Sequence, residues 1–81
     1  MTVQALFFAH FQDLVGSREI AIVLPSDASV DDCAAELCRL TPALGNLMEY
    51  ARVSVNAEFA DAKTVLAEGD EIAFLPPMSG G

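Results

Sequence analysis

The sequence ends in two glycines, Gly80 and Gly81, and a chain terminus is itself a reactive group. A terminal carboxylate becomes an electrophile once it is esterified, for example as an acyl-adenylate made from ATP. Glycine suits this terminus because the absence of side chains lets it thread a narrow channel in a partner. If sulfide or a persulfide sulfur then attacks the carbonyl, the product is a thiocarboxylate, a localised sulfur donor. The two glycines therefore predict a carrier that another enzyme activates.

The four residues before these glycines are suited to present them. Pro76 and Pro77 follow a strand pattern, and because proline cannot donate a ladder hydrogen bond, they end that strand with a stiff exit. The segment from Met78 through Ser79 to Gly81 reaches up to roughly 14 Å when extended. We expect a folded domain over residues 1–77 and a flexible tail over residues 78–81.

The chain offers few other groups that could do chemistry. Cys33 and Cys38 lie five residues apart in a predicted helix, which separates them by about 140° around the axis and about 7.5 Å along it. That spacing is too long for a disulfide, and a metal site needs more ligands than these thiols and His10 supply. We expect buried thiols, no metal site, no cofactor bound by this chain and no catalytic base, so the chain is not an enzyme on its own.

The charge balance excludes several classes of partner. The sequence contains four basic and twelve acidic residues, which gives a net charge of −8. This charge disfavours nucleic acid and anionic membranes. The longest apolar runs, Ala5 to Ala9 and Ile20 to Leu24, are far shorter than the roughly 20 residues of a membrane-spanning helix. The N-terminal segment lacks the basic start of a secretory signal, so we expect a cytoplasmic protein.

Hydrophobic periodicity predicts an α+β domain with the order β-β-α-β-(β)-β. Ser29 and Asp32 form a capping-box pattern that starts the main helix near Val30, and Gly16 fits the end of an earlier short helix. The predicted strands are 3–8, 19–24, 52–56 and 71–75, with a short strand or turn around Phe59 and a short helix over 9–15.

The main helix carries an apolar stripe that can cover one face of a sheet. Thr41 and Pro42 end this helix, and a short helical turn follows. The stripe consists of Val30, Cys33, Ala34, Leu37 and Leu40.

Strand alternation sorts the apolar residues onto two faces. Val3, Ala5, Phe7, Ile72 and Phe74 are expected under the main helix, and Leu6, Phe8, Ala73 and Leu75 on the other face. An uncovered apolar face is typical of a protein interface, and Phe59 extends it if the loop after Asn56 folds back there. In the alternative interpretation, the short helix at 9–15 or the segment 41–50 covers this face.

Several segments, in order and spacing along the whole chain, carry a resemblance to a known family. They are Leu6-Phe7-Phe8-Ala9, Val15-Gly16, Leu24-Pro25, Ala28-Ser29-Val30, Val55-Asn56 and the block from Gly69 to Gly81. The final block is the specific one. The chain resembles the ubiquitin-like β-grasp sulfur carriers, and within them the small subunit of molybdopterin synthase.

This resemblance implies a β-grasp fold: a mixed sheet of four or five strands, with the first and last strands parallel and adjacent, one main helix on one face and an extended Gly-Gly tail. It implies that an activating enzyme related to ubiquitin E1 adenylates Gly81 with ATP and that Gly81 is then thiocarboxylated by a sulfur donor. The tail then inserts into the large, catalytic subunit of a heterotetrameric synthase, and two sulfur transfers to cyclic pyranopterin monophosphate give the dithiolene of molybdopterin. The implied partner-binding residues are Phe8, Phe59, Leu75, Pro76, Pro77, Met78 and Ser79. Gly80 is implied to let the tail pass through the narrow channel of the partner, because it has no side chain.

The sequence departs from the family pattern in two small ways. Met78 stands where a smaller β-branched residue is commoner, and residues 39–51 are not distinctive. Three alternatives share features of this sequence: a sulfur carrier for thiamine or another thiolation pathway, a protein modifier that joins Gly81 to a lysine, and a plain interaction module.

Overall fold

A computed structural model describes residues 1–75 as a five-stranded sheet in the order β2-β1-β5-β3-β4. β1 and β5 are parallel neighbours at its centre, and the remaining pairs are antiparallel. The predicted α+β class, the single main helix and the adjacent first and last strands are confirmed. The elements in chain order are β1 (Thr2–Phe7), α1 (His10–Val15), β2 (Glu19–Val23), α2 (Val30–Leu40), a 3₁₀ turn (Pro42–Leu44), α3 (Gly45–Met48), β3 (Arg52–Val55), β4 (Glu58–Ala60) and β5 (Glu71–Leu75).

The predicted ends of the helices are confirmed by their hydrogen bonds. At the start of α2, the backbone N–H of Asp32 donates to Ser29 Oγ at 3.2 Å, and the N–H of Ser29 donates to Asp32 Oδ2 at 2.9 Å. This reciprocal capping box satisfies two backbone donors that helix geometry leaves without partners. At the end of α1, Gly16 adopts the left-handed conformation with φ 82°, and its N–H donates to the Gln12 carbonyl.

The core lies between the sheet and α2. The residues predicted under the main helix are buried there, with exposed fractions of 1% or less for Val3, Ala5, Phe7, Ile72 and Phe74. The rings of Phe7 and Phe74 stack with centroids 5.9 Å apart. These contacts fix which face of the two central strands is inward, because a strand's side chains alternate between faces.

The prediction that the whole apolar stripe of α2 is buried is wrong for one residue, Leu40. Val30, Cys33 and Leu37 are buried as expected, but Leu40 is 51% exposed. Leu40 is the last residue of α2, and the chain turns at Thr41, whose N–H bonds back to the Leu37 carbonyl. After the turn, Leu44 is buried in the core at 0% exposure, in the same cluster as Leu37.

In the described residues no helix covers the second sheet face, but the face is only partly exposed: Ala73, predicted to be exposed there, is buried at 8% exposure, and Leu6 and Leu75 are half-buried. The alternative coverings pack elsewhere: Phe11 of α1 and Leu44 of the 3₁₀ turn belong to the same buried cluster as Phe7 and Leu37. Phe8 and Phe59 consequently stay 46% and 69% exposed. Within residues 1–75, the helices are too short and too polar to cross a membrane.

Candidate functional site

The site predicted from the sequence starts where β5 ends. Parallel pairing aligns Phe7 with Phe74, so β1 and β5 end at the same edge of the sheet. Phe8 is the first residue after β1, and Leu75 is the last residue of β5. The chain beyond Leu75 lies outside the described residues. The proposed roles of Pro76, Pro77, Met78, Ser79, Gly80 and Gly81 therefore stay predictions, as does the domain boundary after residue 77.

The strand register brings the three predicted docking residues to one face. Leu6 aligns with Ala73, Ala73 with Ser54, and Ser54 with Phe59, so these four side chains cross the open face in one row. The neighbouring row, at the edge from which the tail leaves, contains Leu75 opposite Arg52, with Phe8 beside it. We call this group the docking face: Leu6, Phe8, Phe59, Ala73 and Leu75. Its role in binding a partner stays a prediction.

A strained turn at Ala9 directly follows exposed Phe8. Ala9 has φ 52° and ψ −124°, a backbone conformation that side chains other than glycine rarely adopt. The turn is held by the N–H of Phe11, which donates to the Phe8 carbonyl at 3.1 Å. The chain thereby enters α1 on the core side, and the Phe8 ring stays at the surface beside the end of β5. Strain of this kind persists only where its surroundings enforce it.

Sequence reasoning missed two residues on this face, and the first is Arg52. Its guanidinium carbon lies 4.7 Å from the centroid of the Phe59 ring, a cation–π contact on the open face. The signal that could have found it is the loop Asn56-Ala57. Both residues have positive φ, at 51° and 71°, as in a two-residue type I′ hairpin, and such a loop sets the register of Phe59 against β3. Exposed Val23, on the same face at its far end, was also missed.

The other sequence motifs form the opposite edge of the sheet and hold the fold together. Asn56 Nδ2 donates to Asp70 Oδ1 at 2.9 Å, and Asn56 Oδ1 accepts from the Glu71 N–H at 3.0 Å. Asp70 Oδ2 also accepts from the Ala67 N–H at 2.8 Å. These side chains tie the β3–β4 hairpin to the turn before β5, which accounts structurally for the Val55-Asn56 and Gly69-Asp70 motifs.

The thiols are poor candidates for nucleophiles, although the prediction that both are buried is confirmed for Cys33 alone and Cys38 is only partly buried. Burial, with a smaller contribution from the Glu36 carboxylate, raises the pKa of the Cys33 thiol to about 11, and burial also raises the pKa of Cys38. Both are protonated thiols at neutral pH, whereas reactive cysteines are thiolates. Among residues 1–75, no three His, Cys, Asp or Glu side chains are grouped so that they could hold a metal ion.

Known proteins resemble this chain over its full length. The molybdopterin synthase sulfur carrier subunit of Chlamydomonas reinhardtii is 32% identical over 83 aligned residues and covers 100% of both chains. The crystal structure of SAMP1 from Haloferax volcanii superposes with a TM-score of 0.89 at 30% identity, covering 100% of both chains. At 22% identity, the complex of subunits 1 and 2 of the molybdopterin-converting factor from Helicobacter pylori 26695 contains a chain of the same fold, with a TM-score of 0.72 and 100% of both chains covered.

These likenesses bear on the predicted class of protein. The name of the algal relative describes a carrier subunit, in agreement with the prediction that this chain is not an enzyme on its own. A family profile described as the ThiS family matches residues 5–81, nearly the entire sequence. This chain therefore belongs to the ThiS family of ubiquitin-like sulfur carriers.

Proposed function

We propose that this protein is the sulfur carrier subunit of a molybdopterin synthase. The observation that carries the proposal is the match, end to end, to a relative named as that subunit. The Gly80-Gly81 terminus supports it, because this chemistry requires an activated and unhindered carboxylate.

In the proposed function, Gly81 is loaded with sulfur in two steps, adenylation and then thiocarboxylation. A carboxylate oxygen of Gly81 attacks the α-phosphorus of ATP on an E1-like activating enzyme, and pyrophosphate leaves. Sulfide then attacks the acyl-adenylate carbonyl, the C–O bond to AMP breaks, and the terminus becomes a thiocarboxylate. ATP is bound by the activating enzyme, and this cytoplasmic chain needs no cofactor of its own.

The loaded terminus then delivers sulfur to the large synthase subunit, which supplies the catalytic groups. Its thiocarboxylate sulfur forms a C–S bond to a side-chain carbon of cyclic pyranopterin monophosphate, while a C–O bond of that carbon breaks and the oxygen leaves as water or phosphate. Water then hydrolyses the acyl C–S bond of the resulting thioester, so that the sulfur stays on the pterin and the carboxylate of Gly81 is regenerated. Two such deliveries supply the two sulfur atoms of the dithiolene. The docking face supports this step, because it lies at the edge where β5 ends and thus beside the origin of the tail.

Reconstitution tests the proposal directly. The thiocarboxylated protein is mixed with a large subunit and cyclic pyranopterin monophosphate, and dithiolene formation is followed. The control is a chain that lacks Gly80 and Gly81. We expect dithiolene in the reaction that contains the loaded chain and none in the control reaction. Loaded protein that binds the large subunit and yields no dithiolene would show that its sulfur is destined for another acceptor.

A second function, protein modification, is favoured by one observation. A relative from Haloferax volcanii that is 35% identical to this chain is named small archaeal modifier protein 1. The crystal structure of SAMP1 from the same organism superposes with a TM-score of 0.89. A modifier would join Gly81 to a lysine of a target by an isopeptide bond. Intact-mass analysis of protein from cells with and without a sulfur source separates the two functions, because a carrier exchanges one oxygen for sulfur at Gly81.

A further inference from the structure

We infer that Arg52, held over Phe59, is a specificity residue of the docking face, and that the catalytic subunit presents a carboxylate side chain against it. The inference rests on the proposed function for the identity of the partner. Its grounds are the geometry of Arg52 and the distribution of charge around it.

The position of Arg52 places it at the border of the apolar surface. Arg52 begins β3 and aligns with Leu75, the final residue of β5, while Phe59 lies on β4 opposite Ser54. The Arg52 side chain is exposed, and its guanidinium lies 4.7 Å from the Phe59 ring centroid. A partner that covers Leu75 and Phe59 must therefore also cover Arg52.

The charge of Arg52 stands out in a chain of net charge −8 with four basic residues. Arg39 pairs with Glu36 at 2.7 Å, Arg18 lies near Leu6 and Phe8 on the β2 side of the docking face, and Lys63 lies in the loop after β4, so Arg52 is the basic residue near Phe59. Among residues 1–75, no carboxylate lies within ion-pair distance of Arg52, although Asp31, Glu49 and Asp61 line the same groove as Arg52 and Phe59. Its cation is thus available to a partner.

Stacking on Phe59 prepares the guanidinium for a carboxylate. A guanidinium whose face rests on an aromatic ring keeps its N–H donors at the edge, where they match the two oxygens of a carboxylate. The ring also restricts the side chain, so less conformational entropy is lost when the pair forms. A buried guanidinium without a partner carries a large desolvation cost, so a surface that covers Arg52 must supply an acid.

Substitution of Arg52 tests the inference through binding of the full chain to the catalytic subunit by calorimetry, at low and high salt. Arg52→Glu is expected to weaken binding by roughly tenfold or more at low salt, and less at high salt. Arg52→Gln removes the charge and keeps a polar side chain, and Arg52→Lys keeps the charge but loses the pair of N–H donors that match a carboxylate. The affinity of both variants is therefore expected to lie between that of wild type and that of Arg52→Glu. Lys63→Glu, the control, makes the same change in net charge and is expected to leave the affinity within about twofold.

Equal effects of Arg52→Glu and Lys63→Glu would overturn the inference, because the loss would then follow net charge alone. Wild-type protein that binds the subunit, together with unchanged binding of the folded Arg52 variants, would overturn this inference and leave the proposed function standing. A wild-type chain that binds no catalytic subunit would overturn both. Circular dichroism and thermal unfolding establish that each variant is folded.

The same measurement in chains without Gly80 and Gly81 identifies the source of the carboxylate. If the loss from Arg52→Glu persists there, the acid belongs to the subunit; if it disappears, the acid is the chain's own terminus and the inference is wrong. An acid-to-arginine variant of the subunit that restores the affinity of Arg52→Glu would locate the partner residue.

Discussion

Asn56 and Asp70 are joined side chain to side chain at 2.9 Å, across fourteen residues of sequence. Asn56 lies in the hairpin after β3, and Asp70 lies in the turn before β5. Their bond closes the edge of the sheet opposite the predicted tail exit. The two central strands are thus fixed at one edge by polar contacts and at the other by the apolar contacts around Phe74.

Loss of this bond should destabilise the fold without touching the docking face. Asn56→Ala removes both side-chain hydrogen bonds and also places alanine at φ 51°, so we expect the free energy of unfolding to fall by about 1–2 kcal/mol. Urea denaturation measures the change. Asp61→Ala, which removes local bonds in the exposed loop after β4, is the control and should cost less. Equal stability of Asn56→Ala and wild type would contradict a structural role for the pair.

Glycine at position 57 should stabilise the β3–β4 hairpin. Ala57 has φ 71° in a two-residue loop whose second position favours glycine, so Ala57→Gly relieves backbone strain and should raise stability by about 0.5–1 kcal/mol. Ala35→Gly, at an exposed position inside α2, is the matched control and should lower stability by about the same amount. Thermal unfolding distinguishes the two; a loss of stability for both variants would show that position 57 does not need a positive φ.

Adjacent phenylalanines should respond oppositely to substitution. Phe8→Asp changes a side chain that is 46% exposed, so the domain should stay folded while binding to the large subunit is lost. Phe7→Ala, by contrast, empties a site that is 1% exposed and stacked on Phe74, and should cost about 3–5 kcal/mol.

Paired measurements of unfolding and subunit binding read out both effects. The face assignment would be reversed if Phe8→Asp unfolded the domain and Phe7→Ala did not. Val23→Asp, at an exposed site on the same face but away from the tail exit, serves as the control and should leave binding unchanged.

Alkaline pH should weaken the fold through Cys33. Burial raises the pKa of this thiol in the folded state to about 11, above its ordinary value of 9.0 in the unfolded chain. The stability from the protonated thiol is fully present below pH 9 and is lost between pH 9 and 11, because only the unfolded state releases the proton there. The loss is on the order of 3 kcal/mol.

Denaturant unfolding across this pH range measures the loss. Cys33→Ala removes the titrating thiol, so its stability should be lower at neutral pH but fall less steeply above pH 9. A variant with the same alkaline slope as wild type would assign the loss to other groups.

Local signals were sufficient for most of the fold. The Ser29–Asp32 capping box, the Gly16 cap and the alternation in β1 and β5 each depend on neighbours a few residues away, and the structure confirms them. Leu40 was misplaced because helical spacing continues to the last residue of a helix, whereas burial depends on where the following chain turns. The place of Leu44 in the core is therefore a tertiary result.

The candidate site divides in the same way. The sequence by itself determined the family and the two faces of the central strands, since sequence motifs and a two-residue period can be recognised along one chain. Only the tertiary structure decided that α1 and the 3₁₀ turn leave the second face uncovered and that Arg52 lies over Phe59, because strand register and the packing of α1 join residues that are distant in sequence. An interface is a property of such juxtapositions, and no local pattern contains them.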